Sequence, residues 1–132
     1  MNKFMQMAIE EARKGIQNGD GGPFGAVIVK DGVVIRNACA NLSSFDLSGA
    51  DIYTTGEPCP MCLGAILWSN INQIYYGCTI QENDMIGFRD EVFYKNLSIS
   101  TDKMKDKIKQ LDHDECLKLF HEYLNIKDRT MY

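Results

Sequence analysis

Cys59 and Cys62 stand three residues apart in the run Glu57-Pro58-Cys59-Pro60-Met61-Cys62-Leu63-Gly64-Ala65. Pro60 suits the first turn of a helix, where an N–H would find no intrahelical partner in any case. Thiols at i and i+3 of such a turn lie on one side, so both can reach a single ion. The partial positive charge at a helix start favours the thiolate, which is the form that binds metals. Zinc takes nitrogen and sulfur ligands in a tetrahedron, and a catalytic zinc uses three protein ligands and keeps one position for water. The pair therefore calls for one more protein ligand. Spacing alone leaves a redox pair or a buried core pair open. The prolines on both sides, the strand-like run before them and the small residues after them favour the metal.

The remaining thiols and histidines do not supply a second cluster. Cys39, Cys78 and Cys116 are isolated and read as core thiols. The histidines, His113 and His121, fall in or beside a C-terminal helix and read as solvated or capping side chains. An odd number of cysteines in a chain without an export signal points to reduced thiols. The 132 residues, 45% hydrophobic and 24% charged, fit one soluble domain with one core. A net charge of −4 argues against an extended basic surface for nucleic acid. No apolar run reaches the length of a membrane span, and the cytoplasm is the expected location.

The elements that must position the thiol pair follow from periodicity. Met5, Ala8, Ile9, Ala12 and Ile16 recur at helical spacing, and the breakers from Gly15 to Gly22 end that helix near Gly19. Gly21-Gly22-Pro23-Phe24-Gly25 reads as a tight loop that exposes backbone. Ala26–Lys30 is β-rich, Asp31-Gly32 is a hairpin turn, and a return strand begins at Val33. Ala50–Thr55 reads as a strand, Pro60–Ser69 as a helix and Gln73–Cys78 as a strand. Strand, helix and strand over this length predict a right-handed crossover and a parallel pair. Thr79–Asn96 is mixed, with a turn at Gly87-Phe88. From Asp114 to Asn125 a helix is expected, with Cys116, Leu117, Phe120 and Leu124 on one face. The predicted architecture is α/β: a mixed sheet, antiparallel at the hairpin and parallel beyond it, between layers of helices.

The stretch Glu57–Ala65 resembles the second zinc motif of the zinc-dependent nucleobase deaminases, the cytidine/deoxycytidylate deaminase superfamily. Gly22–Gly32 resembles the first hairpin of the same superfamily. Phe24, the run Gly87-Phe88-Arg89-Asp90 and the terminal Tyr132 are more similar to bacterial guanine deaminases than to tRNA adenosine deaminases. The resemblance covers nearly the whole chain. It implies a three-layer α/β/α sandwich over residues 1–132 and a zinc ion held in part by Cys59 and Cys62. It implies hydrolytic deamination of a small nucleobase, guanine to xanthine and ammonia, by metal-activated water. Asp90 matches an aspartate that contacts the exocyclic amine, although by itself it reads as a turn carboxylate. Phe24, Trp68 and Tyr132 match positions near the substrate; by themselves they read as a packing ring, a core tryptophan and a tail residue. The resemblance also implies a homodimer in which the C-terminal segment crosses to the partner and Tyr132 acts there.

One part of the pattern is missing. Family members carry His-Ala-Glu at the start of the helix after the first hairpin, where the histidine is the third ligand and the glutamate is the general acid/base. No such run occurs here. Val33-Val34-Ile35 runs without a turn into the helix-like Arg36–Leu42, so the motif belongs at the join between Val34 and Ile35. The resemblance implies roughly twenty residues there. Either the natural protein carries that segment, or the chain is an inactive deaminase-like scaffold. A tRNA adenosine or cytosine-type deaminase is the alternative within the family, and a thiol-disulfide oxidoreductase the alternative outside it.

Overall fold

A computed structural model describes residues 1–19, 21–35 and 46–126. The expected helix remnant Arg36–Leu42 with Cys39, the tail and Tyr132 lie outside them. In chain order the elements are α1 (Lys3–Gln17), β1 (Ala26–Lys30), β2 (Val33–Ile35), β3 (Ala50–Gly56) and α2 (Pro60–Trp68). There follow β4 (Gln73–Cys78), α3 (Ile80–Met85), α4 (Asp90–Asn96), a 3-10 turn (Asp102–Met104), β5 (Ile108–Gln110) and α5 (His113–Leu124). Among these described residues no helix is long and apolar enough to cross a membrane.

The strands form one sheet in the order β2-β1-β3-β4-β5. β1 is antiparallel to both β2 and β3, whereas β3, β4 and β5 run parallel. The register sorts the side chains by face, because successive residues of a strand point to opposite sides. Ile28 pairs with Ile52, Ile52 with Ile74, and Ile74 with Ile108, so one row of isoleucines crosses four strands. On the other face Val27 pairs with Tyr53 and Tyr53 with Tyr75, and the two tyrosine rings stack at 4.8 Å.

Each face has its own core, which makes the three layers. The isoleucine face packs against Leu63 and Ile66 of α2, Ile71, Ile80 and Tyr94. The tyrosine face packs against Met5, Ala8, Ile9 and Ala12 of α1 and Cys116, Leu119, Phe120 and Tyr123 of α5. The buried stripe of α5 thus differs from the expected one: Leu119 and Tyr123 are buried, whereas Leu117 and Leu124 pack at its margin. Asn2 caps α1, its side chain accepting from the amides of Phe4 at 2.8 Å and Met5 at 3.2 Å. α1 lies so close to β1 that a Cβ on Gly25 would come within 2.0 Å of the Ala8 carbonyl oxygen. The mixed stretch after β4 resolves into two short helices. A Thr79–Glu82 capping box starts the first, and Gly87, at φ 99°, turns the chain towards the second.

Candidate active site

The thiol pair sits where β3 leaves the sheet, at the carboxyl end of a parallel strand, the usual place for ligands in open α/β sheets. Cys59 is the N-cap of α2, Pro60 occupies the first turn, and the Cys59 Sγ accepts from the Cys62 amide at 3.5 Å. The approach to Cys59 is tied on both sides. The Glu57 amide donates to the Cys78 carbonyl at 2.8 Å, and the Tyr94 hydroxyl donates to the Pro58 carbonyl at 2.6 Å. Cys59 is half-buried and Cys62 exposed. The Cys62 thiol, with the amides of Cys62 and Met61, brings the Cys59 thiol down from 9.0 to about 6, although partial burial works in the opposite direction. A thiol so placed is largely thiolate at neutral pH, as a metal ligand must be. Cys78 and Cys116 are the reverse case. Both are fully buried, and burial pushes the Cys116 thiol up to about 12 and Cys78 further still.

A cavity of about 470 Å³ opens beside the pair. That volume lies within the range of small-molecule sites, about 300–1,000 Å³. Cys59, Cys62, Phe24 and Asp90 all line it, over an apolar floor that includes Ile28, Ile52 and Ile66. Four positions singled out from the sequence are thereby brought to one cavity. Phe24 is 40% exposed and rests edge-on against Phe88 and Phe120, at 4.8 and 5.7 Å between ring centroids. Asp90 begins α4, and burial raises its carboxyl above its ordinary value against a hydrogen bond from Asn83 that lowers it. Trp68 is not brought to the cavity by this chain: it is 82% exposed and borders a shallow depression with Gly64, Leu67 and Asn70. A second cleft of about 460 Å³, on the far side of Glu57, is lined by Tyr76, Tyr94, Thr101 and Lys105 and holds no thiol.

By donor type, Cys59 and Cys62 fit zinc, but they are only part of a ligand set. Among the described residues no three His, Cys, Asp or Glu side chains are placed to hold one metal ion. His113 is engaged elsewhere, its Nε2 lying 2.7 Å from the Glu82 carboxylate. His121 is exposed on the last turn of α5. Two residues of this neighbourhood were not evident from the sequence. Asn83 is fully buried and bridges Glu57 and Asp90, and Tyr94 holds Pro58. An asparagine in so short a helix carries no pattern that separates it from a turn residue.

A model of the cytidine and deoxycytidylate deaminase zinc-binding region matches residues 31–78. Guanine deaminase from Bacillus subtilis is 32% identical over 151 aligned positions, covering 98% of this chain and 97% of that protein. The chain belongs to this deaminase family. The crystal structure of the B. subtilis guanine deaminase has the same fold, with a TM-score of 0.67 over 100% of this chain and 99% of that one. The guanine deaminase of Nitrosomonas europaea, 24% identical with a TM-score of 0.69 over 93% of this chain and 84% of that one, shares the fold. The tRNA-specific adenosine deaminase of Agrobacterium fabrum is 38% identical, but over 56% of this chain and 62% of its own length. The alignment lengths hold a further fact about this deaminase-family chain. Since 98% of 132 residues is about 129, an alignment of 151 positions leaves about 22 positions opposite no residue of the chain. The A. fabrum match behaves alike: 56% of the chain is about 74 residues, against 96 aligned positions.

Proposed function

We propose that the natural protein is a zinc-dependent guanine deaminase that hydrolyses guanine to xanthine and ammonia. The observation that carries this is the one cavity that Cys59, Cys62, Phe24 and Asp90 line together. Similarity along the full length to the B. subtilis guanine deaminase supports guanine over other bases. In this reading zinc, when bound, supplies an activated water for attack on the amine-bearing ring carbon. The residues of this chain hold the ion in part and place the base. Cys59 and Cys62 provide two thiolate ligands. Phe24 offers an aromatic face to the base, and Asp90 accepts from the exocyclic amine. The apolar floor excludes competing water.

The third ligand and the proton shuttle belong to a segment of about 22 residues that the natural protein carries between Val34 and Ile35 and this sequence lacks. The excess of about 22 positions in the alignments to both the B. subtilis and the A. fabrum enzymes supports that segment. The run of Val33-Val34-Ile35 into Arg36–Leu42 without a turn between them supports its place after the hairpin. Tyr132 acts in this account across a homodimer with an exchanged C-terminal segment, and Trp68, which does not line the cavity of its own chain, is assigned to the substrate by resemblance alone. The protein works in the cytoplasm as one deaminase domain.

The test is incubation of the natural, zinc-loaded protein with guanine, adenine and cytosine, with ammonia and the product base measured. Xanthine from guanine alone is expected; turnover of another base in its place overturns the substrate assignment. The second reading is a tRNA adenosine deaminase, favoured by the 38% identity to the A. fabrum enzyme over 56% of this chain. The net charge of −4 opposes it. Tight, salt-sensitive binding of tRNA in a gel shift would establish that alternative.

A further inference from the structure

Asn83 is 0% exposed and sits in the interior of α3. Its Nδ2 reaches two acceptors, the Glu57 carbonyl at 3.2 Å and the Asp90 Oδ2 at 3.0 Å. An amide nitrogen has two hydrogens, so the side chain is fully used as a donor and its orientation is fixed. The Oδ1 on the other side is buried and has no hydrogen-bond partner among the described residues. A Cβ on Gly56 would come within 3.0 Å of that Oδ1, so glycine leaves room for the amide against the strand end. A protein that buries an acceptor without a partner bears a destabilising term, and an apolar residue at 83 would not. What the amide provides is a fixed link between two pieces of the cavity wall. One is the backbone two residues before Cys59; the other is the carboxylate that begins α4.

We propose that Asn83 is a positioning residue: its Nδ2 spans the Glu57 carbonyl and the Asp90 carboxylate, and so sets Asp90 in register with the Cys59–Cys62 turn. The claim rests on the guanine deaminase reading for what Asp90 does, but not for where Asp90 points. Aspartate at 83 has nearly the shape of asparagine and offers an acceptor where both partners need a donor. Alanine removes the link altogether. In either variant the Asp90 carboxylate is released from the Glu57 backbone and free to turn off the cavity. Partners that orient the ligands of a metal site are typically worth about ten- to hundredfold in activity, and a loss of that order is expected here.

The experiment compares Asn83→Ala and Asn83→Asp in the natural full-length protein, each also in an Asp90→Asn background, with crystal structures of the single variants. A tenfold or greater fall in kcat/KM on guanine is expected for the single variants, carried by kcat, shrinking to about threefold or less once Asp90 is replaced. Equal losses in both backgrounds would make Asn83 a fold residue only and overturn the proposal. The structures give a readout independent of turnover. An Asp90 carboxylate displaced from the cavity wall supports the proposal, and one unmoved in both variants overturns it. Should the unsubstituted protein fail to deaminate guanine, that result removes the proposed function. The crystal structures then decide the role of Asn83 alone, and Asn83→Asp serves if Asn83→Ala does not fold.

Discussion

The Tyr94 hydroxyl donates a 2.6 Å hydrogen bond to the carbonyl of Pro58, the residue before the first thiol. Tyr94 is buried in the middle of α4 and belongs to the core beneath the sheet, so the thiol turn is fastened to the packed interior through one polar atom. Tyr94→Phe keeps the ring and leaves the Pro58 carbonyl without that donor. A buried acceptor stripped of its partner costs about 1–3 kcal/mol. The variant should unfold at a lower temperature in a thermal melt and lose zinc more readily to a chelator. An unchanged melt and chelator half-life would show that the turn holds its shape without Tyr94.

Gly25 is set by contact with α1. A Cβ there would lie 2.0 Å from the Ala8 carbonyl oxygen and 2.7 Å from the Ala12 amide nitrogen, both backbone atoms that move only if the helix moves. Gly25→Ala should therefore cost about 3 kcal/mol or more, at the upper end of overpacking effects. Urea unfolding measures it; a loss below about 1 kcal/mol would mean that α1 slides without penalty.

Much of this architecture is legible in the residues. The β-branched and aromatic residues of Ala26–Lys30 and Gln73–Cys78 give both strands with the ends the structure has. The proline after Cys59 gives the start of α2, because that residue type and that position satisfy the same backbone requirement. β5 escapes notice because Ile108-Lys109-Gln110 is three residues long with one apolar side chain, too little for a period. α3 and α4 escape because each is about two turns, and Gly87 between them reads as a break. The cavity is legible only in part. Cys59 and Cys62 announce themselves by spacing, whereas Asp90, which lines the same cavity, accepts a hydrogen bond from Asn83 that no local pattern contains.

Phe24 faces the cavity while two rings hold it from behind. Loss of an aromatic contact to a base is worth about 1–3 kcal/mol. Phe24→Ala should raise KM for guanine by about tenfold or more with a smaller change in kcat, and Phe24→Tyr should stay near the starting enzyme. Steady-state kinetics decide this, and a fall confined to kcat would assign Phe24 to the chemistry instead of to binding.

The His113–Glu82 pair makes stability depend on pH. The hydrogen bond that the His113 imidazole donates to Glu82, aided by Asp114 and opposed by partial burial, holds the imidazole above its ordinary 6.5. For Glu82, burial acts upward, but the Thr79 amide and His113 outweigh it and hold the carboxyl below its ordinary 4.5. A raised histidine stabilises the fold fully below its unfolded value and loses that contribution as pH rises through the folded value. A lowered carboxyl stabilises above its unfolded value and loses the contribution as pH falls through the folded one. Both contributions are present together between about 4.5 and 6.5. Glu82→Gln should lower the melting temperature more at pH 5.5 than at pH 8.5. An equal shift at the two pH values would show that the capping box alone accounts for Glu82.

The central claim is that Cys59 and Cys62 are two ligands of a zinc site completed by a segment between Val34 and Ile35. Native mass spectrometry of the natural protein weighs the polypeptide and its metal together. The account predicts a chain heavier than 14.9 kDa by about 22 residues, carrying one zinc ion per subunit. A chain of 14.9 kDa without zinc would contradict it and leave a deaminase fold without the enzyme.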